Sequence, residues 1–250
     1  MRDEEAQASK RERSSNAESN TAYTSNQIIN ESVAVDPEVL ELMQRIGSTK
    51  INRKFYLAGG TSLALQLGHR KSNDLDYFVD TQKALDRSLI LQELEKVLKN
   101  SWSFEIVVSE SGQLDLAVGK KRRKVSFIAY PFSSDCPRIR INDQLCASVI
   151  EIAAMKGYSL GRRTVARDYV DIAATLYLTN ITLDEIINEA KKRFIYEEEP
   201  VFSERLFLQQ LIYISDVQDA DNLDIISITF NQATEILRNN VADYVRRSIK

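Results

Sequence analysis

Residues 57–79, LAGGTSLALQLGHRKSNDLDYFV, decide how this chain folds. A short apolar run over 55–58 ends in Gly59-Gly60, helix formers occupy 61–67, and a second apolar run over 75–79 opens with Asp74-Leu75-Asp76. The pattern predicts a buried strand, a turn, a helix starting directly on that turn, and a second strand. A strand passing through two glycines into a helix presents free backbone N–H groups at the positive end of the helix dipole, with no Cβ to block close approach. Such a turn suits a phosphate. Thr61 and Ser62 add hydroxyls that either cap the helix or bond a phosphate oxygen. Asp74 and Asp76, two apart on a strand, project to one face while Leu75 and Tyr77 project to the other. Adjacent acids repel unless a divalent cation lies between them, and hard oxygen ligands in an incomplete protein cage suit Mg²⁺. Taken separately, a capped turn and a solvated strand edge explain the two motifs; taken together they point to phosphate chemistry.

Outward from this stretch, Asp36-Pro37 opens a helix ending near Gly47, with Val39, Leu40, Met43 and Ile46 at helical spacing. Residues 84–98 form an amphipathic helix through Leu85, Leu89, Leu94 and Leu98. Strand-like runs follow at 104–108, 114–118 and 125–130, turning at Gly112 and at the basic run after Gly119, and a brief strand is expected at 138–141. Helical periodicity then continues to the C-terminus, at 147–160, 164–177, 183–194, 204–214 and 230–248, the third opened by a capping box of Thr182 and Glu185. Residues 1–34, rich in Ser, Asn, Glu, Arg and Lys, cannot offset the entropy of folding and are expected to form a disordered tail. The layout is therefore α+β: the tail 1–34, a mixed-sheet α/β domain over 35–142, and a helical domain over 143–250.

Of the 250 residues 43% are hydrophobic and 28% charged, with a formal net charge of -3, which excludes fibrous and wholly disordered classes. No run approaches the ~18 apolar residues of a membrane span. The N-terminal stretch lacks the apolar region of a secretory signal, so a cytoplasmic protein with no membrane contact is expected. Cys136 and Cys146 lack zinc or redox spacing and read as small hydrophobes. The single histidine, His69, excludes multi-histidine zinc sites and leaves carboxylates and lysine to carry any chemistry. Beside Arg70 and Lys71, it either approaches a phosphate or sits on the surface. The basic run 120–124, with Arg138 and Arg140, either tracks an RNA backbone or is a solvated hairpin turn.

The stretch 57–79 resembles the nucleotidyltransferase fold superfamily, and specifically the AbiEii/AbiGii-type toxin nucleotidyltransferases of bacterial toxin–antitoxin and phage-defence systems. Residues 151–176, EIAAMKGYSLGRRTVARDYVDIAATL, are similar to that family's downstream motif of a helical lysine, an arginine, an Arg-Asp pair and a further aspartate. The resemblance implies a nucleotidyltransferase-fold mixed sheet with flanking helices. It also implies Mg²⁺-dependent transfer of a nucleoside monophosphate from a nucleoside triphosphate (NTP) to an acceptor, an RNA such as a tRNA end or a protein, with a cognate antitoxin as partner. By motif, Gly59, Gly60, Thr61 and Ser62 would hold the triphosphate with Arg163 and Arg167, and Asp74 and Asp76 would bind metal. Lys156 would contact phosphate, and Asp168 joins Asp74, Asp76 and Lys156 as a catalytic candidate.

The residues themselves are compatible with these roles. Lys156 lies among apolar Ile152, Ala153 and Met155, so it either snorkels to water or meets a buried anion. Asp168 and Asp171 share a helix face; Asp168 either orients Lys156 or the acceptor or pairs with an arginine, and Asp171 reads as structural. Many members of the superfamily carry a third carboxylate on a later strand, where this chain has Ser126. The metal then relies on two carboxylates with water and substrate oxygens, or on another acid such as Asp115, or activity is lost. A small-molecule nucleotidyltransferase and a non-catalytic binding module of the same fold are the alternatives.

Overall fold

In the computed structural model, which describes residues 33–248 apart from 100, 161, 218, 221 and 222, the glycine–aspartate stretch forms the middle of a sheet. β1 (Tyr56–Ala58) runs directly into helix α2 (Gly59–Leu67), and β2 (Leu75–Asp80) returns antiparallel to β1, with Ala58 opposite Asp76. Before them, Asp36 caps helix α1 (Pro37–Gly47) by accepting from the Glu38 N–H, with proline in the first turn. Helix α3 (Arg87–Leu98) starts later than the expected residue 84 because Asp86 takes the cap position. A 3₁₀ turn, Lys50–Arg53, was not foreseen.

Then come β3 (Phe104–Ser109), β4 (Gln113–Val118), β5 (Arg123–Tyr130), β6 (Ile139–Ile141) and β7 (Gln144–Cys146). The seven strands lie in the order β3-β4-β5-β2-β1-β7-β6. β2 pairs parallel with β5 and β1 parallel with β7, while the remaining neighbours are antiparallel, so the sheet is mixed as expected. Its two faces differ in chemistry. Leu75, Tyr77, Leu114, Leu116, Val125 and Phe127 pack in one core with Val39, Leu42, Met43, Ile46, Leu94 and Leu98 of α1 and α3. The opposite face carries Asp74, Asp76 and Phe78, and meets helix α4 (Val149–Leu160).

The C-terminal part adds α5 (Ala166–Leu178), α6 (Leu183–Arg193), α7 (Glu204–Ile212) and α8 (Phe230–Ser248), with a two-residue hairpin of β8 (Ile195–Tyr196) and β9 (Glu199–Pro200). Both halves of the capping box at Thr182 and Glu185 are present. The expected boundary at 142/143 does not fall at a structural break. β7 completes the sheet beside β1, and Tyr56, Ala58 and Leu63 share a core with Ile152, Met155 and Phe194. A three-residue strand is too short to show an alternating pattern, which is why β7 escaped notice.

The expected tail lies outside the described residues as far as residue 32. Its end does not behave as a tail, because Ala34 and Val35 are buried in the first core and the Ala34 carbonyl accepts from the Ser72 N–H. Cys146 is buried, burial pushes the Cys136 thiol up to about 11, and no disulfide joins them. No helix among the described residues is long and apolar enough to cross a membrane.

Candidate active site

Strand alternation sets the floor of the site. Asp74 just before β2 and Asp76 and Phe78 within it, with Lys124, Ser126 and Ile128 of β5, line a cleft of about 280 Å³ roofed by α4. The two glycines bring the chain against this floor. Gly59 has φ +66, and a Cβ there would lie 2.6 Å from Asp76 Oδ2; a Cβ on Gly60 would lie 2.3 Å from Arg70 Nη2. The positive φ favours glycine at Gly59, and a side chain at Gly60 would have to displace the Arg70 guanidinium. No side chain caps α2, so its first-turn N–H groups are not occupied by a capping oxygen.

Thr61 and Ser62 require a correction. Both are buried. The Thr61 hydroxyl bonds to the Asp74 carbonyl and to Ser72 Oγ, and Ser62 Oγ accepts from Gln66. Helical rotation carries these residues away from the cleft, so their hydroxyls fasten the Asp74 loop and α2 rather than facing a phosphate.

Asp74 and Asp76 are half-buried, and neither carboxylate has a hydrogen bond or ion pair among the described residues. Burial, then the charge of Asp74, holds the Asp76 carboxyl above the usual carboxylate range. Two unpartnered carboxylates crowded on one face are a donor set for a hard divalent cation, and Mg²⁺ completes its octahedron with phosphate and water oxygens. These residues therefore fit the metal that the resemblance implies. Among the described residues no group of three or more carboxylate, histidine or cysteine ligands is found. Ser126 faces Asp76 across the strands, and its buried hydroxyl has no hydrogen-bond partner among the described residues. Asp115 is buried, and its Oδ1 has no hydrogen-bond partner among the described residues. It stands opposite Ser126, two strand spacings of about 4.8 Å from Asp76, and its Oδ2 is held by Gln113 Nε2 at 3.0 Å and Lys124 Nζ at 3.3 Å.

Above the floor is a buried ion cluster. Lys156 Nζ lies 2.6 Å from Asp168 Oδ1 and 2.8 Å from Asp171 Oδ2, so it meets buried anions instead of snorkelling to water. Burial disfavours its charge, but Asp168 and Asp171 outweigh burial and hold its pKa above the ordinary lysine value. Arg163 Nε pairs with Asp168 Oδ2 at 3.0 Å, so Asp168 both orients Lys156 and neutralises an arginine. Asp171 accepts from Arg70 Nε at 2.6 Å and Nη2 at 2.9 Å, and bonds His69 Nε2 at 2.7 Å. His69 is fully buried, neither a surface residue nor one aimed at the cleft, because Asp171 draws it inward. Arg167 lines the cleft exposed, with no acidic partner among the described residues.

The basic run is exposed but largely engaged in ion pairs. Lys121 pairs with Asp36 and Glu38, Arg122 with Glu105, and Arg123 with Asp36. Arg138 sits near the far edge of the sheet, paired with Asp80 and Glu151 and stacked over Tyr56. Arg70, Lys124, Gln113 and Phe78 are cleft residues the motifs did not single out. Alternation outward from Asp76 and Ser126 marks Phe78 and Lys124; no local signal marks the other two.

A mixed sheet with a glycine turn and two aspartates at the start of one strand, roofed by a lysine-bearing helix, is the arrangement of a nucleotidyltransferase. Residues 41–245 match the family model for the nucleotidyl transferase AbiEii toxin of type IV toxin–antitoxin systems, and the chain belongs to that family. Its fold is similar to that of JHP933 from Helicobacter pylori, with 15% identity, 86% of this chain and 94% of the other covered, and a TM-score of 0.57. It is also similar to MenT4, the nucleotidyltransferase toxin Rv2826c from Mycobacterium tuberculosis H37Rv, with 16% identity, 81% and 82% covered, and a TM-score of 0.56. An uncharacterized protein of Aquifex aeolicus is 26% identical over 210 residues, covering 83% of this chain and 96% of its own length.

Proposed function

We propose that this toxin-type nucleotidyltransferase moves a nucleoside monophosphate from an NTP, with Mg²⁺, onto a hydroxyl of an RNA acceptor such as a tRNA end. The observation that carries the reading is the unpartnered Asp74–Asp76 pair beside the Gly59-Gly60 turn, in a cleft where Arg167 is an exposed cation with no acidic partner among the described residues. Mg²⁺ held by Asp74 and Asp76 would neutralise phosphate charge when bound.

The chain's own groups position the substrate. The first-turn N–H groups of α2 and the Arg167 guanidinium take the triphosphate. Lys156, fixed by two aspartates, offers a point charge that needs no reorganisation as charge develops. The acceptor oxygen bonds to the α-phosphorus, the bond to the bridging oxygen of the β-phosphate breaks, pyrophosphate leaves, and the hydroxyl proton is released to water. An RNA acceptor is supported by Arg162, Arg163 and Arg167 around the α4–α5 connection, Arg162 stacking over Tyr158 at 3.6 Å.

The test is growth on induction, together with transfer to total RNA, for the wild type and for Asp74→Asn with Asp76→Asn. The wild type is expected to arrest growth and label RNA, and the double variant to do neither; full toxicity in the double variant would sink the mechanism. Ser126 is the feature that favours a catalytically silent member. Such a member would show no transfer with the wild type either.

A further inference from the structure

We infer that Gln113 reads the base of the bound nucleotide, and that the cleft selects bases with an amino group at purine C6 or pyrimidine C4, adenine or cytosine, over guanine and uracil, which carry a carbonyl there. This rests on the nucleotide reading above and adds the class of base. Three cleft residues stand side by side in one cross-strand row: Phe78 of β2, Ile128 opposite it on β5, and Gln113 opposite Ile128 on β4. The row lies two residues along the strands from Asp76 and Ser126, a step of about 7 Å, comparable to the reach of a ribose between its phosphate and its base. Ile152 and Met155 of α4 also line the cleft, giving it an apolar part beside the charged one. A flat ring with apolar faces suits that part.

Gln113 is the polar member of the row. Its Nε2 donates to Asp115 Oδ2 at 3.0 Å, and an ionised carboxylate only accepts, so the amide has its nitrogen toward Asp115 and its oxygen away. Lys124 Nζ, 3.3 Å from the same Oδ2, holds that carboxylate in place. Gln113 Oε1 has no donor among the described residues and remains an acceptor for the ligand. The N6 amino group of adenine and the N4 amino group of cytosine are donors, whereas O6 of guanine and O4 of uracil are acceptors that oppose Oε1.

Calorimetric titration of the full chain with ATP, CTP, GTP and UTP, each with Mg²⁺, tests this. ATP and CTP are expected to bind at least about five-fold tighter than GTP and UTP. N6,N6-dimethyl-ATP and N4,N4-dimethyl-CTP, which lack the donor hydrogens, should fall to the level of GTP and UTP. Gln113→Leu should bring the four natural nucleotides within about two-fold of each other. The dimethylated probes act on the wild type, so the result does not depend on the variant folding. GTP or UTP binding as tightly as ATP and CTP, or dimethylation without effect, overturns the assignment of Gln113 and leaves the nucleotide site standing. Absence of binding by all four overturns the nucleotide reading, and the base assignment with it.

Discussion

Arg70 and Asp171, brought together from β2's approach loop and helix α5, form a two-bonded fork with Nε 2.6 Å from Oδ1 and Nη2 2.9 Å from Oδ2. The same carboxylate holds Lys156 and His69, so one buried charge ties the glycine turn to the helical half. Asp171→Ala leaves three buried donors without their shared acceptor and is expected to lower unfolding free energy by about 3–5 kcal/mol in urea. A loss under about 1 kcal/mol would contradict that role. Burial works against the Asp171 charge, but Lys156 and Arg70 outweigh it and hold the carboxyl well below the usual range. The folded pKa lies below the unfolded value of about 3.9. Its stabilisation is therefore present above roughly pH 4 and lost as pH falls through the folded value. The variant should show a flatter acid limb than the wild type.

Gly60 and Arg70 are coupled by space. A Cβ at Gly60 would lie 2.3 Å from Arg70 Nη2, so Gly60→Ala forces Arg70 out of its fork and should cost about 2 kcal/mol. Adding Arg70→Ala removes the clash, so the loss in the double variant should fall short of the sum of the two single losses by more than about 0.5 kcal/mol. Strict additivity in the double-mutant cycle would show that the contact carries no energy.

Asp76 is held at a cost to the fold. Burial and the neighbouring Asp74 charge raise its carboxyl, so stability falls as pH rises from the unfolded value of about 3.9 through the higher folded value. Asp76→Asn should therefore abolish transfer yet stabilise the protein at pH 7 by something on the order of 1 kcal/mol. At pH 3, where the wild-type carboxyl is already neutral, the difference should vanish. A variant less stable than wild type at pH 7 would mean that the carboxylate supports the fold.

Much of this site was legible because it rests on local patterns. The run from Leu57 to Val79 gave strand, turn, helix and strand in order, and alternation placed Asp74 and Asp76 on one face, where the cleft lies. What stayed hidden depends on contacts remote in the chain. His69 read as a surface or phosphate-facing residue because nothing nearby reveals Asp171 as its partner. Thr61 and Ser62 carry the same hydroxyl whether they face ligand or core, and only the packing of α2 distinguishes the two. The basic run 120–124 looked free because its acids, Asp36, Glu38 and Glu105, come from two other elements.

The two arginines of the downstream motif should separate in kinetics. Arg163 is committed to Asp168, whereas Arg167 faces the cleft without an acidic partner among the described residues. Arg167→Ala is expected to raise KM for the triphosphate by about ten-fold or more with stability within about 0.5 kcal/mol of wild type. An unchanged KM would remove Arg167 from the phosphate site.

The most direct measurement compares two labelled triphosphates, one carrying label in the α-phosphorus and one in the γ-phosphorus, each incubated with the full chain, Mg²⁺ and total RNA. Nucleotidyl transfer places the α label on RNA, leaves the γ label in pyrophosphate, and is abolished in the Asp74→Asn, Asp76→Asn variant. Label arriving on RNA from the γ position, or transfer that survives loss of both aspartates, would contradict the assignment of this cleft.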